Sequence, residues 1–330
     1  MTKTLVCGIG NALVDSEYKV SDDELNALNL TKGCMELNDA ENHIKLTREL
    51  KKTHGVVKMM PGGSVANSLY TMSQFGLDVS FTGKVSSDKV GTSFISSLRN
   101  IGMQTDVNQI TKGITGECLV LITPDHERTM YTHLGVSSEL NKEDIIEQSI
   151  LNSEYVLIEG YLVTSTETKD VASYCLDIAT KNNIKKIITL SDPNVVSFFR
   201  ENMMELITKQ FDIIFCNEQE ALNLSSTDTI DSAMDFLKKY SKEVIITSGS
   251  EGAYVSNDRG IIHVPSEKVE PVDLTGAGDM FLAAYILATV KNKKITERIS
   301  FSNKCAARII QGYGAKFDDN EEYNKLYLQL

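Results

Sequence analysis

Positive charge is scarce in this chain. Thirty-three Lys and Arg face 45 Asp and Glu, giving a net charge of −12 and a pI near 5.0, and no basic stretch offsets the deficit. A nucleic-acid or anionic-membrane surface is thereby disfavoured. Long apolar runs are missing too, so no segment approaches a membrane span. The apolar part of the N-terminal Met-Thr-Lys-Thr-Leu-Val-Cys-Gly-Ile-Gly is too short for a secretory leader. Cys7, Cys34, Cys118, Cys175, Cys216 and Cys305 form no C-x-x-C pair and mostly sit in apolar stretches, as expected of reduced core residues in a cytoplasmic protein. The five histidines lack metal-ligand spacing, which argues against zinc. Two phosphate-binding fingerprints also fail. Gly8-Ile9-Gly10 after a strand has Leu13 where a dinucleotide fold needs its third glycine, and Gly83-Lys84 is followed by Val85 rather than Ser or Thr, so there is no P-loop.

What is present is enough apolar sequence for a large interior. With 330 residues and 42% hydrophobic content, one large domain with a smaller appendage, or two domains, is expected. Buried strands are expected at Tyr155 to Glu159, Lys186 to Leu190, Asp212 to Cys216 and Glu243 to Thr247, with amphipathic helices near 166–182, 201–209 and 229–240 between them. Strand Lys3 to Ile9, helix Ser64 to Phe75, strand Val79 to Gly83 and helix Lys89 to Asn100 continue the alternation towards the front. That rhythm implies a mainly parallel sheet with helices on both faces, an α/β/α sandwich. Leu13 to Val20 with Gly33 to Leu37, and Glu117 to Ile122 with Thr129 to Gly135, read as strands without crossover helices. They are expected to form a small sheet acting as a lid over a water-sensitive reaction. The division is 1–12, 39–112 and 136–330 for the large unit, and 13–38 and 113–135 for the lid. The tail Phe317 to Tyr323 reads as an acidic surface segment.

The most informative run is Asp273-Leu274-Thr275-Gly276-Ala277-Gly278-Asp279-Met280-Phe281, which opens a long apolar helix. A helix start leaves N–H groups unpaired and carries positive potential, so an oxyanion can rest there. The small residues Gly276, Ala277 and Gly278 keep that approach clear. Asp279 is out of place beside an anion unless it receives a proton, a pairing that suggests phosphoryl transfer to a hydroxyl. The alternative from the residues alone is that Thr275 and Asp279 simply cap the helix.

The run resembles the C-terminal signature of the PfkB, or ribokinase-like, family of carbohydrate and nucleoside kinases, Asp-x-Thr-Gly-Ala-Gly-Asp-x-Phe. The resemblance extends over essentially the whole chain with the motifs in the family's order. It implies a ribokinase-like sandwich, ATP as donor, Mg²⁺ as cofactor, Asp279 as catalytic base and the Gly276, Ala277, Gly278 turn as anion hole. Gly10-Asn11-Ala12-Leu13-Val14-Asp15 matches the segment that grips vicinal hydroxyls, through Asp15 with Asn11 beside it. Pro61-Gly62-Gly63-Ser64-Val65-Ala66-Asn67 matches the family's N-terminal glycine pair, which places Gly62, Gly63, Ser64 and Asn67 at the substrate. Gly83 to Asp88 with Gly91 fits a neighbouring segment given a structural role.

The resemblance further places Asn217 and Glu220, an Asn-x-x-Glu pair, near Mg²⁺ and its waters, with Glu220 acting through water because Mg²⁺ keeps much of its hydration shell. Thr247, Gly249 and Gly252 match a nucleotide-lining segment, with Thr275 beside the phosphates and Asn303 within reach of adenine. The loop Gln311 to Ala315 is similar to a monovalent-cation segment, so its carbonyls, with those near Asp273, are the candidate K⁺ ligands, at Gly314 and Asp273. Pro124 to Thr129 resembles a lid hairpin whose Arg swings to the transferring phosphate, which makes Arg128 a candidate for charge stabilisation. The lid segment from Asp15 to Leu37 and the Glu159-Gly160-Tyr161-Leu162 run look most like adenosine kinases, where Tyr161 would stack on the base. A nucleoside acceptor is therefore expected, with a sugar of the ribose, fructose or 2-keto-3-deoxygluconate type as the alternative. The remaining alternatives are a non-catalytic binding relative, opposed by the retained Asp279, Asn217 and Glu220, and a dehydrogenase. A monomer or homodimer is expected, with a nucleoside or sugar and ATP as its partners and no nucleic acid or membrane.

Overall fold

A computed structural model describes residues 3–33, 35–125, 127–257 and 260–330. Cys34, expected in the core, and His126, in the expected lid hairpin, lie outside the described residues. The strands are β1 (Thr4–Ile9), β2 (Leu13–Lys19), β3 (Met35–Leu37), β4 (Lys58–Gly62), β5 (Val79–Ser86), β6 (Gln104–Ile110), β7 (Gly116–Ile122), β8 (Arg128–His133), β9 (Ser153–Glu159), β10 (Lys185–Thr189), β11 (Phe211–Asn217), β12 (Ser241–Thr247), β13 (Ala253–Asn257) and β14 (Gly260–Val264).

The larger sheet runs β14-β13-β12-β11-β10-β9-β1-β5-β6 among the described residues. From β12 to β6 every pairing is parallel, and an antiparallel β13–β14 hairpin closes one edge. Side chains along β9 alternate between two cores. Val156 and Ile158 pack with helices Thr166–Lys181 and Arg200–Ile207, while Tyr155 and Leu157 face helices Ser64–Gln74 and Ala277–Val290. Both faces are covered, which is why these strands read as unbroken apolar runs. The three-layer α/β/α architecture expected from the alternation is the one found. Strand β6 carried no such signal. As an edge strand it is half-buried except at the exposed Gln109, and Gln104-Thr105-Asp106-Val107-Asn108-Gln109-Ile110 has no apolar run.

The smaller sheet runs β3-β8-β7-β2-β4. Four of its strands come from the two expected segments. The fifth, β4, comes from the stretch expected in the large unit and pairs antiparallel with β2, Leu13 opposite Gly62. Its Lys58-Met59-Met60-Pro61-Gly62 sequence has neither alternation nor β-branched residues to announce a strand. The tail also departs from expectation. Residues Asn320–Tyr327 form a helix, and Tyr323 is 0% exposed, edge-on to Phe75 and Phe317 in a third apolar cluster. The acidic residues that suggested a surface segment occupy its outer face.

Helix Ala277–Val290 is buried continuously from Met280 to Ala288. Phe281, Leu282 and Ile286 pack on the sheet side, and Met280, Ala284 and Leu287 on the opposite side. An all-round apolar helix of this kind is clamped on every face, so its first turn is held rigidly. Chain order reverses at β1, which lies between β5 on one side and the later β9 on the other. The crevice beyond the C-terminal ends of strands at such a reversal is where open α/β sheets bind ligands. Cys7, Cys118, Cys175, Cys216 and Cys305 are buried and free, and no helix among the described residues is long and apolar enough to cross a membrane.

Candidate active site

Asp279 does not cap its helix. The cap is Gly276, in the left-handed region at φ 79°, and it makes no side-chain cap hydrogen bond. A Cβ at that position would also lie 2.5 Å from the Ala315 Cα, so both conformation and packing require glycine. The Asp279 carboxylate instead accepts from the Ser64 hydroxyl at 2.6 Å and from the Asn67 amide nitrogen at 3.1 Å. Residues more than two hundred positions apart thus converge at two facing helix starts. Gly278 is exposed, and a side chain there would meet nothing within 4 Å, so the approach to this turn is open. Among the described residues, the Gly278 and Asp279 amides meet no acceptor, as first-turn amides do. Burial pushes the Asp279 carboxyl up to about 6, with Ser64, Asn67 and Lys316 pulling it down and Asp15 adding to the rise.

Asp15 lies on β2 opposite β4. A Cβ on Gly62 would come 2.4 Å from its carboxylate oxygen, so the glycine leaves room for that acid. Gly63 follows as the cap of the Ser64 helix. Burial raises the Asp15 carboxyl to about 6, while Lys316 and Arg128 pull it down. Asn11 is buried, and its Oδ1 accepts from the Ser137 hydroxyl.

Glu159 ends β9, as the apolar run predicts, but no motif in the sequence gives its carboxylate a role. Its carboxylate accepts from the Asn11 backbone N–H at 3.3 Å and the Val65 N–H at 3.0 Å, joining the segment after β1 to the start of the Ser64 helix at the sheet's reversal point. Burial raises it to about 7, the two backbone hydrogen bonds opposing. Glu159→Ala leaves both buried amides without an acceptor, at about 1–3 kcal/mol each. Urea unfolding should show a lower midpoint at unchanged slope. An unaltered midpoint would mean that the carboxylate ties nothing together.

Lys316 lies one residue beyond the Gln311 to Ala315 loop, and no motif in the sequence marks it. It is 4% exposed, and its ammonium donates to the Asn67 Oδ1 at 2.5 Å and to the Pro61 carbonyl oxygen. Burial pulls its ammonium down to about 8, against the opposing effect of Asp15 and Asp279. Arg128, expected at a hairpin tip, is instead the first residue of β8 and buried, paired with Asp273 and Glu17 at 2.7 Å each. It borders a cavity of about 470 Å³ that is also lined by Gly33, Asp125, Asp273 and Thr275. Reaching a phosphate would require it to give up one of those carboxylates. Another cavity, of about 380 Å³ and lined by His43, Arg48, Lys51 and Glu117, contains none of the expected site residues.

A K⁺ at the 311–315 loop would be held by its backbone carbonyl oxygens, with those near Asp273, rather than by the Asp273 side chain. The Asp273 carboxylate is already taken by the Arg128 guanidinium, the Gly314 N–H at 2.6 Å and the Thr275 N–H at 2.9 Å. Asn217 and Glu220 form a reciprocal helix cap, and Glu220 is 4% exposed. Burial raises Glu220 to about 8, with Asp192 and Asp279 adding to the rise. Both of its oxygens accept from Asn217, so this carboxyl does not suit direct metal ligation. Among the described residues no group of three or more His, Cys, Asp or Glu side chains is placed to hold a metal ion, so a cation near Glu220 would be reached through water.

Thr247 ends β12, and Gly249 and Gly252 sit in the turn leading to β13. Asn303 is buried, with its amide nitrogen donated to the Val264 and Pro265 carbonyl oxygens, so that group pins the exit of β14. Tyr161 is half-buried in the one-turn helix after β9, against the apolar core. Asp88 caps its helix onto Gly91, the structural role expected for that segment.

The family model for pfkB carbohydrate kinases matches residues 31–322. The chain belongs to the pfkB family. It is therefore a phosphotransferase with a ribokinase-like fold. The crystal structure of adenosine kinase from Sinorhizobium meliloti superposes on this kinase with a TM-score of 0.89 at 28% identity, covering 99% of each chain. Adenosine kinase 2 of Arabidopsis thaliana is 25% identical over 97% of both sequences. Ribokinase of Staphylococcus aureus (strain COL) is 24% identical, covering 78% of this chain and 84% of its own. At these identities this pfkB kinase is similar to nucleoside and sugar kinases alike.

Proposed function

We propose that this kinase moves the γ-phosphoryl of ATP directly to a primary hydroxyl of a ribose-bearing acceptor, with adenosine and its 5′-OH the preferred reading. The observation that carries the proposal is Asp279, held by Ser64 and Asn67 beside the open amides of the Gly276 turn. Ser64 and Asn67 aim the carboxylate at an incoming hydroxyl, and Asp279 accepts its proton as bonding to phosphorus develops. The Gly276, Ala277 and Gly278 turn receives the moving phosphoryl oxygens. Mg²⁺, when bound, neutralises phosphate charge, and Asn217 with Glu220 would hold its water shell. Asp15, with Asn11 nearby, grips the diol, Tyr161 faces the base, and Thr247, Gly249, Gly252 and Thr275 line the nucleotide. Arg128 contributes charge if it exchanges a carboxylate for phosphate.

Likeness over the full length to two adenosine kinases, lid included, supports the nucleoside reading. Ribokinase similarity at comparable identity supports a sugar as the second. An ATP-coupled screen over adenosine, inosine, ribose, fructose and 2-keto-3-deoxygluconate decides between them. Adenosine should give the highest kcat/KM, and a sugar surpassing it overturns the acceptor assignment.

The acid side of the pH profile gives a separate check. Asp279 and Asp15 both rise to about 6 and both must be ionised, one to take a proton and the other to accept hydroxyls. Protonation removes each function, so kcat/KM should fall as pH drops through 6. A flat profile down to the ordinary carboxylate range would remove both from their roles.

A further inference from the structure

We infer that Lys316 is a positioning residue for the transfer proposed above, its buried ammonium setting the orientation of Asn67 and so the aim of the Asp279 carboxylate. The inference rests on Asp279 as the base.

An ammonium only donates, and an amide side chain has one accepting and one donating end. Because Lys316 Nζ donates to the Asn67 Oδ1 at 2.5 Å, the Asn67 Nδ2 is obliged to face the Asp279 Oδ2, 3.1 Å away. Without the ammonium, Asn67 is free to turn its oxygen towards Asp279, where two acceptors repel and the carboxylate loses one of its two holds. The other hold, the Ser64 hydroxyl at 2.6 Å, constrains only Oδ1.

Lys316 is itself anchored at both ends of the site. Its ammonium also donates to the Pro61 carbonyl oxygen, just before the glycine pair, and stands 5.1 Å from the centre of the Tyr70 ring on the same helix as Asn67. On its other side, Ala315 packs against Gly276 at the anion turn. One residue therefore touches the helix that aims the base and the loop that abuts the phosphate turn.

Charge follows the same geometry. Asp15 and Asp279 both act on this ammonium, and Lys58 is the cation that opposes it. Removing the positive charge should make Asp279 harder to ionise, while removing the donor should loosen its aim. Lys316→Met takes away both. Lys316→Gln takes away the charge and keeps a donor for Asn67. Lys316→Arg keeps charge and donor.

The test is kcat, acceptor KM and ATP KM across pH for the three variants and for Asp279→Asn, each first checked for folding by thermal unfolding. Expected for Lys316→Met is a kcat lower by about 10–100-fold, the scale for a misplaced reacting group. ATP KM should change little, and the acid limb of kcat should move up by about one pH unit, as loss of an adjacent opposite charge demands. Lys316→Gln should show the same limb shift with a smaller drop in kcat, and Lys316→Arg should recover most activity.

An unmoved limb with near-normal kcat in folded Lys316→Met or Lys316→Gln, while Asp279→Asn is inactive, overturns the inference and leaves the base assignment standing. An active Asp279→Asn overturns the base assignment instead. If Lys316→Met fails to fold, Lys316→Gln carries the reading. If neither folds, the ammonium is architectural and the inference falls.

Discussion

Asp279→Asn is expected to keep ATP binding and lose about 10²–10⁴ of turnover, the contribution of a positioned general base. The substitution preserves shape, so the Gly276 turn and its amides stay in place. It removes a negative charge from beside an anion site, so ATP affinity should hold or improve. What disappears is the proton acceptor that Ser64 and Asn67 aim at the acceptor hydroxyl. Single-turnover kinetics with calorimetric ATP titration separate the two effects. A variant with near-normal kcat would mean that the proton leaves by another route and that Asp279 only shapes the turn.

Asp15→Ala is expected to act on the other substrate. A carboxylate receiving two hydroxyls forms charge-assisted hydrogen bonds worth about 1.5–3 kcal/mol each. Losing both should raise the acceptor KM by at least ~10²-fold. ATP KM should change by no more than a few-fold. Folding should survive, because the Asp15 carboxylate lies against Gly62, which has no side chain to lose its support. Equal weakening of ATP and acceptor would place Asp15 outside the diol site. The 2′-deoxy and 3′-deoxy forms of the preferred nucleoside sharpen the measurement, since each should lose affinity with the native protein and lose little more with the variant.

Asp279 is legible in the sequence because it follows three small residues and precedes an apolar helix, whereas Asp15, inside β2, is marked as a site residue only by the family resemblance. The parallel strands were equally plain, since Tyr155-Val156-Leu157-Ile158 and Phe211-Asp212-Ile213-Ile214-Phe215 are buried on both faces and carry their burial as composition. Strands β4 and β6 were not. One has Pro and Gly in place of alternation, and the other is a polar edge. Tyr323 was misplaced for a related reason: its acidic neighbours describe the outer face of a helix whose inner face packs on Phe75.

Local sequence determined the helix starts, the parallel sheet and the identity of the acid beside the glycine turn, because each follows from residues within a few positions of one another. Tertiary structure alone decided which side chains share that acid's environment. Ser64, Asn67, Glu159 and Lys316 reach the site from separate parts of the chain, and nothing in the neighbours of Lys316 marks it for burial. Nor could sequence separate a swinging Arg128 from one locked between Glu17 and Asp273. Charges interact through space, and their partners are set by how the lid sheet and the large sheet meet.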